Sequence, residues 1–559
     1  MRIFFLLLFL ISSPLIAEQP PVNRLHMLYL VQSQEIEKAF SLYQEYKSQL
    51  KKHDFELLQQ MALTLLEKGT RSQDPLTQLT SLFGCHLAGV HASIDILEAG
   101  ILSQNPQTQV AAIQFLGQLQ DDRCEELFTK AMSSDYFFTR MEALHQLALR
   151  KSRTATGQIE SLMMKVPPQM HFFFAPLFAL SGTHDAVALL KKMMDHPLDN
   201  ARIEAILNAA RFRRDDLLPN IRKVATHLNC AEQEACAYAL GILKDSKSIP
   251  HLTHLSQSKA SHVQLSALYA LYSLGRAEER EKILGAAITK DLFAISLLGE
   301  MPGPHTALHP FLSDPDIQVR FNTTVALLKS KDPIAALFLP EFLIRDSKDL
   351  GFQPQFSPGN SLMAWKVIPS IKQHQKDSPY DLSTLALNIR EHLLQECIEL
   401  PEDTFLQLAR TIFTSRQTDL VPKLIHLLET MGSDAALQLL KEESQKAGAP
   451  LTRAYCNLAL FRQEKKEVYK TAVLQWIQLK KQTELIRFRP QLPWELRATE
   501  LASPLELTPE EHSQLLIECY ETLALVHQEE SIDILVNDLK SGAPSNRPIL
   551  AGLLIQAIQ

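Results

Sequence analysis

A pattern that returns eight times between Asn105 and Asp346 limits what this chain can fold into. Each copy has a variable anchor, then usually a small residue, then usually Leu, then often Asp. With anchors at Thr108, Thr139, Phe172, Ala201, Glu232, Val263, Lys290 and Val319, subtraction gives steps of 31, 33, 29, 31, 31, 27 and 29 residues. A period near 31 belongs to repeat architectures, in which one unit leaves an apolar face that only its neighbours cover.

Four residues past each anchor stand Ala112, Ala143, Pro176, Ala205, Cys236, Ala267, Ala294 and Thr323. Eight residues past it stand Leu116, Leu147, Leu180, Ala209, Leu240, Leu271, Leu298 and Leu327, and the next position is often small, as in Gly117, Ala148, Ser181, Gly241 and Gly299. Positions four and eight share one face of a helix, and small residues there let helix axes approach closely. Thirteen past the anchor come Asp121, Asp185, Asp245 and Asp332, with Asp215 one place late, each ahead of another apolar segment. A carboxylate there suits an N-cap, since it can accept the unpaired amides of the next helix's first turn. The unit therefore reads as helix, short turn, capped helix, and these aspartates are taken as caps rather than as a row of ligands or catalytic acids.

On these residues the pattern resembles the HEAT-like repeats in their short bacterial (PBS-lyase-type) form, roughly V-R-x-x-A-x-x-A-L-G-x-L-x-D. Val319-Arg320 with Ala326-Leu327, Ala201-Arg202 with Ala205, and Ala239-Leu240-Gly241 with Asp245 carry the resemblance. It implies an all-α fold, an α-solenoid of stacked helical hairpins forming a HEAT-like superhelix. It implies little about chemistry, because such repeats serve as scaffolds, adaptors and enzyme platforms alike.

The N-terminus has a charged start at Arg2, an apolar run over residues 3–11, and a small residue, Ala17, ahead of the polar Glu18-Gln19-Pro20-Pro21. That is the layout of a signal peptide over residues 1–17, and the apolar run is shorter than the roughly 20 residues a spanning helix needs. Export, periplasmic or secreted, is the expectation, with no integral membrane segment after cleavage. Residues 18–104 read as a divergent helical cap region with a polar outer helix, 105–346 as the repeats, 347–380 as an irregular linker or loop punctuated by Gly and Pro, and 381–559 as degenerate helical repeats. Thr452-Arg453 with Cys456, Ala459 and Leu460 repeats the motif late in the chain, and Thr508 with Glu511 reads as a capping box with Pro509 at the first helical position. The final segment, residues 548–558, is apolar almost all round and is expected to be buried. Almost no strand is expected.

The formal charge of −7, or −8 without Arg2, argues against a phosphate-tracking groove and hence against nucleic acid. Seven cysteines in apolar helical context cannot all pair within one chain and read as core thiols. No nucleophile elbow, zinc-protease or phosphate-loop motif is present. The pairs His251/His254 and His305/His309 have metal-compatible spacing but no third ligand nearby, so no metal, cofactor or catalytic residue is assigned. Two surface clusters remain as candidate interaction residues: Arg211, Arg213 and Arg214 at an inter-helix turn, and Arg487, Phe488, Arg489, Trp494 and Arg497 in a Pro-rich loop, the cation and aromatic mixture that anchors protein interfaces.

The expectation is an exported, non-catalytic protein–protein interaction scaffold in a bacterial envelope, whose second helices line a concave face holding a partner's extended segment or helix. The whole is similar to exported HEAT-repeat proteins of Gram-negative bacteria of the chlamydial kind. The alternatives are a secreted effector that binds a host protein and a repeat-scaffold enzyme, the latter requiring convergent polar groups on the concave face.

Overall fold

The computed structural model describes residues 24–89, 91–344, 349–374, 382–415, 419–446, 448–490, 505–507 and 510–559. The expected leader, residues 1–17, lies outside them, as do Thr508 and Pro509.

The sequence register is the structural register. Thr108, Thr139, Ala201, Glu232 and Val263 are wholly buried, as are Ala112, Ala143, Ala205, Cys236, Ala267 and Ala294 four residues on, and Leu116, Leu147, Leu240, Leu271, Leu298 and Leu327 at position eight. The first helices of the repeats are α2 (Pro106–Gln118), α3 (Phe137–Leu149), α4 (Ala175–Ser181), α5 (Asp199–Arg211), α6 (Cys230–Ile242), α7 (Ser261–Ser273), α8 (Leu292–Gly299) and α9 (Ile317–Lys329). Small residues bring them together: a Cβ on Gly241 would lie 2.6 Å from Ala270 Cα, and one on Gly299 2.7 Å from Ala326 Cα. The chain is an all-α solenoid.

That solenoid closes on itself. α1 (Pro75–Ala88) precedes the repeats, and α10 (Leu382–Glu396), α11 (Val421–Met431), α12 (Pro450–Glu464), α13 (Glu511–Val526) and α14 (Arg547–Ala557) follow them. Each of α1 to α14 packs on the next, and α14 packs on α1, so among the described residues these helices form one complete circuit. The helices between them, such as Arg123–Ala131, His184–Met193 and Ile249–Leu255, touch one another far less. A unit that is narrow at its first helix and wide at its second curves toward the first. The first helices therefore form the inner layer, the reverse of the arrangement expected from the sequence.

Closure also defines what the N-terminal region does. The helix Ile36–Leu50 packs on Glu529–Ser541, and Phe55–Thr70 packs on α14. Arg547 Nη2 donates to Glu37 Oε1 at 2.9 Å, and Gln559 Nε2 donates to the Ala88 carbonyl at 2.8 Å across 471 chain positions. Residues 24–88 join the two ends, and α14 is buried almost throughout, as its all-round apolar sequence suggested.

The turns explain several charged residues. Lys151, Arg213, Lys244 and Lys331 end first helices in the left-handed region, with φ between +51° and +61°. Arg213 and Lys244 reach forward to the C-terminal carbonyls of the next first helix, at Ile242 and Ser273, where cations are favoured. The aspartates divide. Arg123 N donates to Asp121 Oδ1 at 2.8 Å and Ile334 N to Asp332 Oδ1 at 3.1 Å, so these two hold the turn ahead of the helix, while the cap positions themselves are Asp122 and Ile334. Asp245 instead takes the guanidinium of Arg222 from the preceding unit, at 2.7 Å on both oxygens. In His184–Met193 the cap is Thr183, with Asp185 inside the first turn, and Asp215 opens a short 3₁₀ turn. α13 starts later than the capping-box reading placed it: Glu510 is its cap, accepting from Ser513 N at 3.2 Å.

Two small hairpins interrupt the helices. Where a linker or loop was expected, β1 (Gly351–Phe356) and β2 (Met363–Ile368) pair antiparallel, from Gly351 opposite Ile368 to Phe356 opposite Met363. β3 (Phe488–Pro490) and β4 (Leu505–Leu507) pair likewise.

Candidate interaction site

Both hairpins lie on the inner face, the side of the first helices turned away from the second helices. On α9 the residues involved are Gln318 and Asn322, four apart. Gln318 Nε2 donates to Val367 O at 2.8 Å while its Oε1 accepts Val367 N at 2.7 Å. Asn322 Nδ2 donates to Trp365 O and its Oδ1 accepts Trp365 N, both at 2.7 Å. The fit is geometric. Four helical residues advance about 6 Å and two strand residues about 6.6 Å, so carboxamides at i and i+4 meet alternate edge groups of a strand. Each amide supplies one donor and one acceptor, as a neighbouring strand would.

The device is used twice. On α2, Gln107 Nε2 donates to Leu505 O and its Oε1 accepts Leu505 N, each at 2.7 Å. Gln107 and Gln318 both stand one residue before their repeat anchors, Thr108 and Val319.

The turn of the first hairpin wraps a buried carboxylate. Glu234 of α6 is wholly buried. Its Oε2 accepts Gly359 N at 2.8 Å and lies 2.8 Å from His262 Nδ1; its Oε1 accepts Ser361 Oγ at 2.5 Å, Ser361 N at 3.2 Å and the Ser357 hydroxyl. Four donations from one turn, together with the His262 contact, satisfy a carboxylate that burial would otherwise penalise heavily. Gly359 is required there, since a Cβ would fall 2.4 Å from Ala231 O.

Between this hairpin and α6 to α9 is a cleft of about 270 Å³ lined by Tyr238, Tyr269, Phe293, Ser296, Glu300, Lys329 and Trp365 among others. Tyr238 and Tyr269 each stand six residues past an anchor, and their rings stack across adjacent helices at 6.2 Å and 13°. Burial, with Glu300 nearby, raises both phenols above the usual range. Glu300 and Lys329 form an ion pair at the mouth, both partly exposed. The arrangement has aromatic walls, a charged rim and a strand backbone on one side. It suits a side chain projecting from an extended chain.

The residues singled out from the sequence are placed elsewhere. Arg214 pairs with Asp216 at 2.8 and 3.1 Å and reaches Gly182 O at 3.4 Å, and Arg213 is engaged at Ile242. Arg211 is exposed, its guanidinium 6.0 Å from the Phe212 ring. Arg213 and Arg214 thus tie neighbouring units together at a turn. Arg487 lies 3.6 Å from Glu484, and the Phe488 ring is 6.5 Å from Phe83 on α1. Arg489 contributes its backbone to β3; Trp494 and Arg497 lie outside the described residues. Among the described residues, none of these contacts joins the two clusters.

Three of the four paired histidines are engaged within the chain. His251 Nε2 lies 3.0 Å from Ala225 O, His305 Nε2 3.0 Å from Met301 O, and His309 Nε2 2.8 Å from Asp332. Among the described residues no group of three or more His, Cys, Asp or Glu is disposed to hold a metal, and no helix is long and apolar enough to cross a membrane. All seven cysteines are free thiols, six of them buried, and burial pushes Cys397 up to about 12.

Sequence reasoning missed Glu234, Gln318 and Asn322 because their partners in the hairpin lie 43 to 127 positions away. A signal was present in the glutamines directly before two anchors and the tyrosines at equivalent positions of adjacent repeats.

Residues 186–272 match a family model described as HEAT repeats. No curated protein matches the sequence. One similar solved chain is in a homology model of the full-length AP-3 complex in an intermediate open conformation, with 10% identity, TM-score 0.31, and 93% of this chain and 94% of that one covered. Another is in a crystal structure of Kap121p bound to Pho4p, with 10% identity, TM-score 0.28, and 97% of this chain and 66% of that one covered. The matched segment spans α5, α6 and α7, the stretch that carries Glu234, Tyr238 and Tyr269.

Proposed function

We propose that this chain is an exported, non-catalytic scaffold that holds extended segments of a partner protein against the inner face of its HEAT-like circuit. The observation that carries the reading is the repeated carboxamide pairing. Gln107, Gln318 and Asn322 seat the chain's own strands on the inner face through main-chain atoms alone, so that face is built to carry extended backbone without demanding a particular sequence, while the aromatic cleft beside them can take a side chain. The non-catalytic part is supported by the occupation of the inner polar groups, since Glu234, Gln318 and Asn322 spend their hydrogen bonds on the hairpin. Export to a bacterial envelope is supported by the leader-like residues 1–17 and by the likeness of the repeats to the short bacterial form.

Among the described residues, α3 presents exposed apolar side chains on the inner face. Phe138 and Leu149, the repeat equivalents of Gln318 and Lys329, are 77% and 49% exposed. A photo-crosslinking residue at Phe138 in living cells should capture a partner, and one at Val468, on the outer layer and 67% exposed, should not. Equal capture at both positions, or none at Phe138, would overturn the inner-face reading. A partner in the periplasm supports the envelope scaffold, whereas a host protein captured outside the cell would replace it with a secreted effector.

A further inference from the structure

The cleft under the first hairpin has a composition that an apolar side chain does not need. Four aromatic residues, Tyr238, Tyr269, Phe293 and Trp365, line one space of about 270 Å³. Aromatic faces carry negative quadrupole charge and attract cations. A carboxylate, Glu300, lines the same cleft. Lys329 Nζ of the same chain already pairs with Glu300 at the rim, so the carboxylate there accepts an ammonium. That ion pair is 32% and 51% exposed on its two side chains, and exposed pairs of this kind contribute little net stability. A second cation can exchange for Lys329 at small cost.

We infer that this cleft is a recognition pocket for a basic side chain, lysine or arginine, projecting from a partner's extended segment, with Tyr238, Tyr269, Phe293 and Trp365 as its cage, Glu300 as its counter-charge and Lys329 as the internal cation it displaces. The inference deepens the scaffold reading and rests on it for the source of the side chain. The pocket lies where a backbone docked along the inner face would present alternate side chains to the helices. A cage next to one carboxylate discriminates by charge, since an uncharged chain of equal length gains the apolar contact but neither the ring attraction nor the carboxylate.

The test uses the full chain labelled with 5-fluorotryptophan, with the Trp365 resonance identified by its loss in Trp365→Phe. Three probes are titrated: N-acetyl-lysine methylamide, its norleucine counterpart, and tetramethylammonium chloride. The lysine probe should shift the Trp365 resonance at about tenfold lower concentration than the norleucine probe. Glu300→Gln should weaken the lysine probe about threefold or more, and Lys329→Met should strengthen it by a similar factor because the internal competitor is gone. Equal binding of lysine and norleucine probes would overturn the charge selectivity. Binding of tetramethylammonium alone would assign the cleft to a small quaternary ammonium instead of a partner's side chain, and no shift with any probe would remove the pocket. These titrations involve no partner, so their failure is separate from a failure of the crosslinking at Phe138.

Discussion

Gly84 on α1 and Gly552 on α14 meet backbone to backbone. A Cβ on Gly552 would lie 2.1 Å from Gly84 O, and one on Gly84 would lie 2.3 Å from Pro548 O. No side chain fits at this crossing, and the contact is with main chain that cannot rotate aside. Gly552→Ala should destabilise the protein by about 1–3 kcal/mol through overpacking, or part the seam and expand the molecule. Thermal unfolding with small-angle scattering reads both. Gly157→Ala, in a helix with open space around it, should raise stability by up to about 1 kcal/mol.

Ala267 is wholly buried, whereas Gln264 is only half-buried. Ala267→Glu should cost several kcal/mol, on the order of 3–5, by burying an unpaired carboxylate. Gln264→Glu should fall within about 1 kcal/mol of the parent. Equal denaturation midpoints for the two variants would place the repeat register wrongly.

Removing the carboxylate at Glu234 leaves the turn of the first hairpin without its acceptor. Glu234→Ala should cost on the order of 3 kcal/mol, since several bonds to one charged group are lost together. Hydrogen exchange should rise over residues 351–368 while α7 stays protected. Unchanged exchange across the hairpin would mean that the strand-edge bonds hold it alone.

Gln318 offers a cleaner cut of the strand-edge device. Gln318→Glu keeps shape but turns the donor facing Val367 O into an acceptor, and should lose about 1–2 kcal/mol. Because Gln318 and Asn322 serve the same strand, their effects should be non-additive by at least about 0.5 kcal/mol in a double-mutant cycle.

Acid should loosen the inter-repeat contact between Arg222 and Asp245. The Arg222 guanidinium, with Ser248, holds Asp245 below the ordinary carboxylate range. Its stabilisation is therefore complete above the unfolded value of about 4 and is lost as pH falls through the lower folded value. Chemical denaturation at pH 6 and pH 3 should show a smaller difference for Asp245→Asn than for the parent. A parallel pair of curves would exclude Asp245 from the acid response.

The repeat register, the helix pairs and the buried last helix were legible because each depends on residues within about 31 positions, where spacing reports a face directly. Curvature was not, because the choice of inner layer depends on the relative widths of two helix layers summed round a circuit. The hairpin at 351–368 was missed because its Gly and Pro content reads locally as loop. What makes it a hairpin is the edge supplied by Gln318 and Asn322 and the acceptor supplied by Glu234, all on helices distant in sequence. The arginines at 211, 213 and 214 drew notice as charge, whereas Arg213 ends a helix in the left-handed region and both it and Arg214 bridge to neighbouring units.

The joining of α14 to α1 also has a kinetic side. A linear array of repeats frays from its two ends, and each lost unit exposes the next. A circuit has no end to fray. Its unfolding must begin by parting a seam, and the seam at Gly84 and Gly552 joins helices made early and late in synthesis. The array is thus an open spring until α14 docks, and after that the lifetime of the folded state depends on the seam that the Gly84–Gly552 crossing and the helices of residues 24–88 close together.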